Sequence, residues 1–364
     1  MPLTVKFVSL YHIDIDKTEN NIIKRDVNIS DAKEYIQSLA SNMISNEKMR
    51  KYEIKSTSNP IVHNILTLIR QTNPIEALEE SAPTLSDNIE LDTPLNNIAN
   101  RLLLAQQEAQ NRHAFTQIKK GSLIQAYVIS DNNPMYLIAL IDHSSFIDES
   151  DLKKRSGLPD NSKATFKNVR IHFNQDLSLS SIYVSDSQPK ISKYWYDDFL
   201  DLKETHDNIT NTTYAYRFIN SMLSNKLSKK HKQDLIEYNN SLKIYFTKND
   251  NFDFNECLDF IFKGDPYSTN LDVHALKNEI ISKKNQRNVF DNVFNIDITD
   301  IKKALRHRNY KLNPNVELKL KTSDDTIKEN VFATKLENGD TVLAIANVDP
   351  EQLKSFNFYN IDID

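Results

Sequence analysis

Four lysines, Lys226, Lys229, Lys230 and Lys232, crowd a short stretch around Ser228, which the pattern assigns as the N-cap of a helix over Ser228–Phe246. A helix dipole favours acids in its first turn, so each cation there is unfavourable by roughly a few tenths of a kcal/mol. A phosphate at that end would relieve the conflict, because free backbone N–H groups and ammonium groups would both face it. A solvated turn whose charges are screened by salt fits the same residues. A second basic group, Lys277, Lys283, Lys284 and Arg287, falls on an expected helix Leu271–Arg287. A third, Lys302, Lys303, Arg306, Arg308 and Lys311, falls on and just after an expected helix Thr299–Arg308. In that helix Ile298, Ile301 and Leu305 share one face and the cations lie largely off it. A packed face opposite a basic face suits contact with backbone phosphates, which gives affinity without reading sequence; a solvated helix surface fits as well. No aromatic residue interleaves these charges along the chain, so a single-strand stacking platform is not expected.

Other chemistries have less behind them. A metal-dependent nuclease often needs an acid followed by [Asp/Glu]-x-Lys on a strand, to hold a divalent ion and orient water. Glu317-Leu318-Lys319 has that form, with Asp297 and Asp300 upstream. The same pattern recurs at Asp31, Glu53, Asp151, Asp201 and Asp300, so it carries little specificity in a chain this rich in lysine and acids. The nine histidines are never closer than 25 residues, which excludes HExxH and HxxxH. Only four glycines occur, Gly121, Gly157, Gly264 and Gly339. No two share a short segment, so a dinucleotide-binding turn, a Walker A loop, a kinase Gly-rich loop and a G-x-S-x-G elbow are all excluded. Cys257 is the only cysteine, so no intrachain disulfide can form and a thiolate zinc site is excluded. It sits in Phe254-x-x-Cys257-Leu258-x-Phe260-Ile261, the pattern of a buried helix face. No cofactor is expected.

The elements that must carry these groups follow from periodicity. Residues 3–15 read as a strand with Val5, Phe7, Ser9 and Tyr11 on one face. Helices are expected from Ser30 or Asp31 to Asn46, after Pro60 to Arg70, and from the Thr93-Pro94 start to about Gln117. The first would bury Ala32, Tyr35, Ile36, Leu39 and Met43, the second Val62, Ile65, Leu66 and Ile69. The third would bury Leu95, Ile98, Ala99, Leu102, Ala105, Ala109 and His113. Hairpins are expected at Ser122–Ser130 with Met135–His143, and at Phe166–Phe173 with Ser180–Ser185. Beyond the linker-like stretch 186–198, helices are expected over Asn211–Asn225 (presenting Tyr214, Phe218 and Met222), Ser228–Phe246 and Asn255–Phe262. A strand over Val316–Lys321 and a hairpin turning at Asn338-Gly339 close the chain. The result is an α+β protein: a mostly antiparallel sheet with helices on one face over 1–190, and a helix-rich domain ending in a small β-hairpin sheet over 191–364.

Three stretches together resemble the bacterial nucleoid-associated protein family typified by NdpA (YejK). The first is Asp92–Ile141, where TPLNNIANRLLLAQQEAQ leads into Lys-Lys-Gly-Ser-Leu and the strands IQAYVIS and MYLIALID. The second is Tyr194–Ser224, where a Trp-containing turn precedes an acid- and Thr-rich loop and the helix TYAYRFINSML. The third is ELKLK, the hairpin VFATKLENGDTVLAIANV and Asp349-Pro350-Glu351-Gln352-Leu353. The likeness runs over most of the chain, although the first 90 residues match only in pattern. It implies nucleoid association, DNA contact and no known enzymatic reaction.

Charge distribution bears on the same question. The 364-residue chain carries 45 basic and 50 acidic residues, a net −5, so total charge does not indicate nucleic acid. Residues 73–92 hold six acids and no base, and suggest an exposed connection. Residues 274–321 hold eleven bases against five acids. An acidic protein with one basic region binds polyanions through that region. The start Met1-Pro2-Leu3-Thr4 lacks the marks of a signal peptide, and the longest strongly apolar run, Met135–Ile141, is too short to span a bilayer. The expected protein is cytoplasmic, is not inserted in a membrane and binds double-stranded DNA as a homodimer. A metal-dependent nuclease, or an interaction subunit of a phage-defence or chromosome-organising complex, is the alternative.

Overall fold

The computed structural model describes residues 3–17, 19, 21–27, 29–72, 89–112, 118, 121–130, 132–147, 149–158, 167–188, 190–313, 315–321, 330–336 and 338–356. The elements of the first half are β1 (Leu3–Ile13), β2 (Ile22–Arg25), α1 (Ile29–Ser45), β3 (Arg50–Ile54), α2 (Pro60–Thr72) and α3 (Ile89–Arg112), then β4 (Gly121–Ser130), β5 (Asn133–Asp142), β6 (Ser144–Ile147), β7 (Lys154–Gly157), β8 (Lys167–Phe173) and β9 (Leu179–Asp186). A π-helical turn, Tyr194–Phe199, and β10 (Leu202–Glu204) follow. The second half holds α4 (Asn208–Leu227), α5 (Lys232–Lys248), β11 (Asn251–Asp253), α6 (Phe254–Ile261), α7 (Val273–Arg287), β12 (Val293–Asn295) and α8 (Lys302–Leu305). It ends with β13 (His307–Asn313), β14 (Val316–Lys321), β15 (Val331–Lys335), β16 (Thr341–Ile345) and α9 (Pro350–Leu353).

The expected α+β class is what is found. An eight-stranded antiparallel sheet runs in the order β10-β3-β9-β8-β5-β4-β1-β2. It is covered on both faces, not on one. Leu123 and Tyr127 of β4 with Tyr136, Ile138 and Leu140 of β5 pack under α2, α3 and the π-helical turn. Ile124, Ala126 and Val128 with Met135, Leu137, Ala139 and Ile141 pack under Ile36, Leu39, Ala40 and Met43 of α1. Two buried faces explain why β5 reads as an unbroken apolar run and β4 as one broken only by the buried Gln125, rather than as alternating strands.

The β1 register holds a correction. A bulge between Val5 and Phe7 pairs Val5 with Val128 but Phe7 with Tyr127. The extra residue, Lys6, sends Val5 to the α1 side, while Phe7 and Tyr11 stay on the α3 side. Helix α2 is capped as its sequence suggests: Val62 N–H donates to Asn59 Oδ1 at 2.9 Å, with Pro60 at the first helical position. Its buried residues are Ile61, Ile65, Leu68 and Ile69: Ile65 and Ile69 are buried as expected, while Ile61 and Leu68 take the places expected of Val62 and Leu66. Helix α3 starts at Ile89, about a turn before Thr93-Pro94, because Leu91 joins the core. Glu90 and Asp92 are therefore helical, and the rest of the acidic stretch, like His113–Gln117, lies outside the described residues.

The chain forms two compact units. One comprises 1–212, 251–254 and 288–295; the other comprises 213–250, 255–287 and 296–364. The division falls inside α4, not near residue 190. The stretch 186–198 resembled a linker because of Pro189 and its turn-formers, yet Trp195 and Phe199 are fully buried in the core of the first unit. Arg101 Nε of α3 donates to Phe199 O at 2.6 Å and holds that turn down.

Within the first unit, β11 pairs with β12, and Phe252 stacks on Phe294 with centroids 4.5 Å apart. The buried Asp291 carboxylate accepts from Lys51 N–H at 2.8 Å, Arg50 Nε at 3.4 Å and Asn211 Nδ2 at 2.9 Å. Its own N–H donates to Asn211 Oδ1 at 2.9 Å.

Arg170 of β8 donates to the carbonyls of Met43 and Ile44, so it supplies the cation at the α1 C-terminus that α1 itself lacks. Its neighbour on the same face, His172, meets the edge of Tyr183 and has a buried Nε2 with no hydrogen-bond partner. Burial, and then the Arg170 charge, push the His172 pKa down from 6.5 to about 4. The unfolded chain therefore takes up a proton that the folded one refuses. Stability present above pH 6.5 is lost as pH falls towards 4, by up to about 3 kcal/mol. His172→Phe is expected to flatten urea-unfolding free energy across that window; an unchanged acid dependence would place its origin elsewhere.

Candidate nucleic-acid interface

All three basic groups lie in the second unit. Its helices bury Ala215, Ile219, Leu223 and Leu227 of α4, Tyr238, Leu242, Tyr245 and Phe246 of α5, and Cys257 and Leu258 of α6. Tyr214, expected inward, is largely exposed, because the stripe at spacing four begins one residue later.

The first group is rebuilt by the geometry. Ser228 is not an N-cap: its N–H donates to Ser224 O at 3.2 Å, which extends the end of α4. Lys226 thus sits in the last turn of α4, where the dipole favours a cation, and pairs with Glu279 at 2.5 Å. His231 precedes α5, and the acid Asp234 occupies the first turn. Asp234 offsets the dipole conflict only in part, since Lys232 is the first residue of α5. What remains is exposure: Lys229, Lys230 and Lys232 all point to water and form no ion pair among the described residues.

On α7, Leu276, Ile280 and Lys284 form the buried stripe. Lys284 is only 4% exposed, so it is removed from the expected surface. Its long stem fills a position four residues beyond Ile280, as lysine stems do on apolar faces. Lys277 pairs with Asp259, Lys283 approaches Gln286 Oε1 at 3.5 Å, and Arg287 is exposed.

The third group sits on a shorter helix than expected. α8 ends at Leu305, and His307–Asn313 forms strand β13 against β14. Lys243 Nζ on α5 donates to His307 O at 2.8 Å, and its pKa is lowered by burial. Ile301 and Leu305 are buried, whereas Lys302, Lys303 and Arg306 are exposed without an ion pair among the described residues. The packed face opposite a basic face survives on one turn. Arg308 is half-buried on β13 and hydrogen-bonds the Tyr310 side chain, and Lys311 lies opposite Glu317 in the strand register. Lys232 and Lys243 are eleven residues apart on one helix, so the basic turn and the Lys243 contact with His307 are separated by about 16 Å of axial rise along α5.

Two acids of the nuclease pattern have local partners. Asp297 accepts from the Thr299 N–H and hydroxyl, and Glu317 faces Lys319 at 4.0 Å. Among the described residues no three His, Cys, Asp or Glu side chains form a group able to hold a metal ion. One polar cluster in the first unit was hidden by sequence distance. Ser122 Oγ lies 2.8 Å from His143 Nε2, and His143 stacks on His12 with centroids 5.0 Å apart. Only the pairing of β4 with β1 and β5 brings the three together. Among the described residues no helix is long and apolar enough to cross a membrane. No protein-family model and no curated protein matches the chain.

Proposed function

We propose that this chain is a nucleoid-associated DNA-binding protein that holds duplex phosphates largely without reading sequence. The observation that carries the reading is the pair of exposed basic groups, Lys229/Lys230/Lys232 and Lys302/Lys303/Arg306, whose charges are not neutralised by ion pairs among the described residues. Cations kept free of internal partners serve as phosphate contacts at no cost of breaking a pair. The resemblance to the NdpA-type family points the same way. In a test, two duplexes of equal length and unrelated sequence are titrated by fluorescence anisotropy at rising salt. Binding to both with similar affinity and a steep salt dependence is expected. No binding at low salt, or strong preference for one sequence, would sink the reading.

The net charge of −5 makes a lone protomer a weak DNA ligand, and self-association compensates through effective concentration. One face of the β15–β16 hairpin carries Val331, Ala333, Leu343 and Ile345, and the last three are exposed. A two-stranded hairpin is marginal in water by itself, so an apolar partner surface suits it, and a second copy supplies one. Leu343→Glu with Ile345→Glu is expected to lower the sedimentation mass towards that of one chain; a mass equal to wild type would remove this face from the dimer.

A further inference from the structure

The basic turn before α5 and the loop after α6 are joined by one carboxylate. Asp234 is fully buried in the first turn of α5 and accepts from the Tyr267 N–H at 2.7 Å and from the Ser268 hydroxyl. At the start of the same loop, Phe262 meets Tyr238 of α5 edge-on, with centroids 4.8 Å apart. The loop is pinned twice to one helix, and Pro266 stiffens the backbone just before the second pin. The Tyr267 backbone is therefore fixed while its side chain is 63% exposed. Lys232 is two residues from Asp234, Lys229 and Lys230 lie in the adjoining turn, and Lys263 lies in the loop itself; all four are exposed. The exposed Asp265 is the opposing charge in the loop.

An exposed aromatic ring carried on a fixed backbone, on a loop joined to the helix that carries Lys232, fits a ligand that is anionic and has flat π faces, and nucleotides have both. An intact duplex hides its base faces in the stack, so only an unpaired base can meet the ring. We propose that Tyr267 stacks on an unpaired base of DNA whose phosphates are held by Lys229, Lys230 and Lys232. This rests on the DNA-binding reading and adds to it a preference of this turn for single-stranded segments and gaps. Thirty-five residues separate Tyr267 from Lys232 along the chain, and the Asp234 and Tyr238 contacts of α5 bring the two segments together.

The test compares single-stranded oligothymidine with a blunt duplex of equal length, by anisotropy, for wild type, Tyr267→Ala and Tyr267→Phe. Loss of the ring is expected to weaken single-strand binding about tenfold and to leave duplex binding within about twofold. Tyr267→Phe is expected to match wild type, since the ring and not the hydroxyl stacks. Equal loss on both substrates, no loss on the single strand, or a Phe variant as weak as the Ala variant overturns the proposal while leaving duplex binding standing. Failure of the wild-type chain to bind either DNA overturns both readings together.

Discussion

Replacing Asp291 with Ala is expected to remove about 3–5 kcal/mol from the stability of the first unit, because it leaves a buried guanidinium without its closest buried counter-charge. Arg50 is 8% exposed and Asp291 6%. The carboxylate also satisfies Lys51 N–H on β3 and the Asn211 side chain, so its loss strands three donors in a dry site. Glu204, 3.1 Å from Arg50 Nη1, and the His206 carbonyl remain, but both are already engaged with other nitrogens of the same guanidinium. A domain holds about 5–15 kcal/mol in all, so the loss takes a large share of it. Trp195 is the only tryptophan and is fully buried in this unit, so its fluorescence in a urea titration reports the unit by itself. A large fall in the urea midpoint is expected. A change under about 1 kcal/mol would mean that water reaches the pair and screens it. Asp291→Asn separates charge from shape: it keeps an oxygen for Lys51 N–H, so its cost should fall between wild type and Ala.

The fold was legible where one kind of periodicity ruled a segment. The α1 stripe Ile36-Leu39-Met43 and the Asn-Gly turn with Gly339 at φ +86° follow from side-chain period and turn chemistry, and the β4–β5 hairpin from two apolar runs parted by turn-formers. Legibility failed where tertiary contacts override the local pattern. Trp195 and Phe199 make a turn-rich stretch part of a core, and Lys6 shifts a strand by one residue. His307–Asn313 read as the tail of a helix because Ile298, Ile301 and Leu305 establish a helical period just before it. Pairing with β14 sets its structure instead. The basic groups were visible as a list of cations but not as a surface. Lys284 belongs to a buried stripe, and Lys226 and Lys277 are paired with acids that sequence distance conceals. The pinning of Tyr267 depends on a carboxylate whose burial no local pattern announces.

Removing Lys302, Lys303 and Arg306 together is expected to flatten the salt dependence of duplex binding by two to three units of slope, at about 0.9 per phosphate contact. These three are the exposed side of α8, and Ile301 and Leu305 fix its other side, so alanine there changes charge without touching the core. Lys229, Lys230 and Lys232 make a second set of three on a different element. If both sets neutralise phosphates, wild-type log K falls with log salt at a slope near −5, which costs about 10³-fold in affinity between 50 and 200 mM salt. Each triple variant should keep about half that slope, and the sixfold variant should approach salt-independent, barely measurable binding. All duplex sequences should weaken alike, because phosphates carry no sequence information. An unchanged slope in one triple variant would assign that face to solvent or to a protein partner. A loss confined to some sequences would mean that the helix reaches base edges, which a single turn ending at Leu305 has little length to do. The two sets also test each other: parallel effects on one duplex require both faces to meet the same DNA, whereas additive slopes with unequal losses on single strands would separate the α8 contacts from those of the turn before α5.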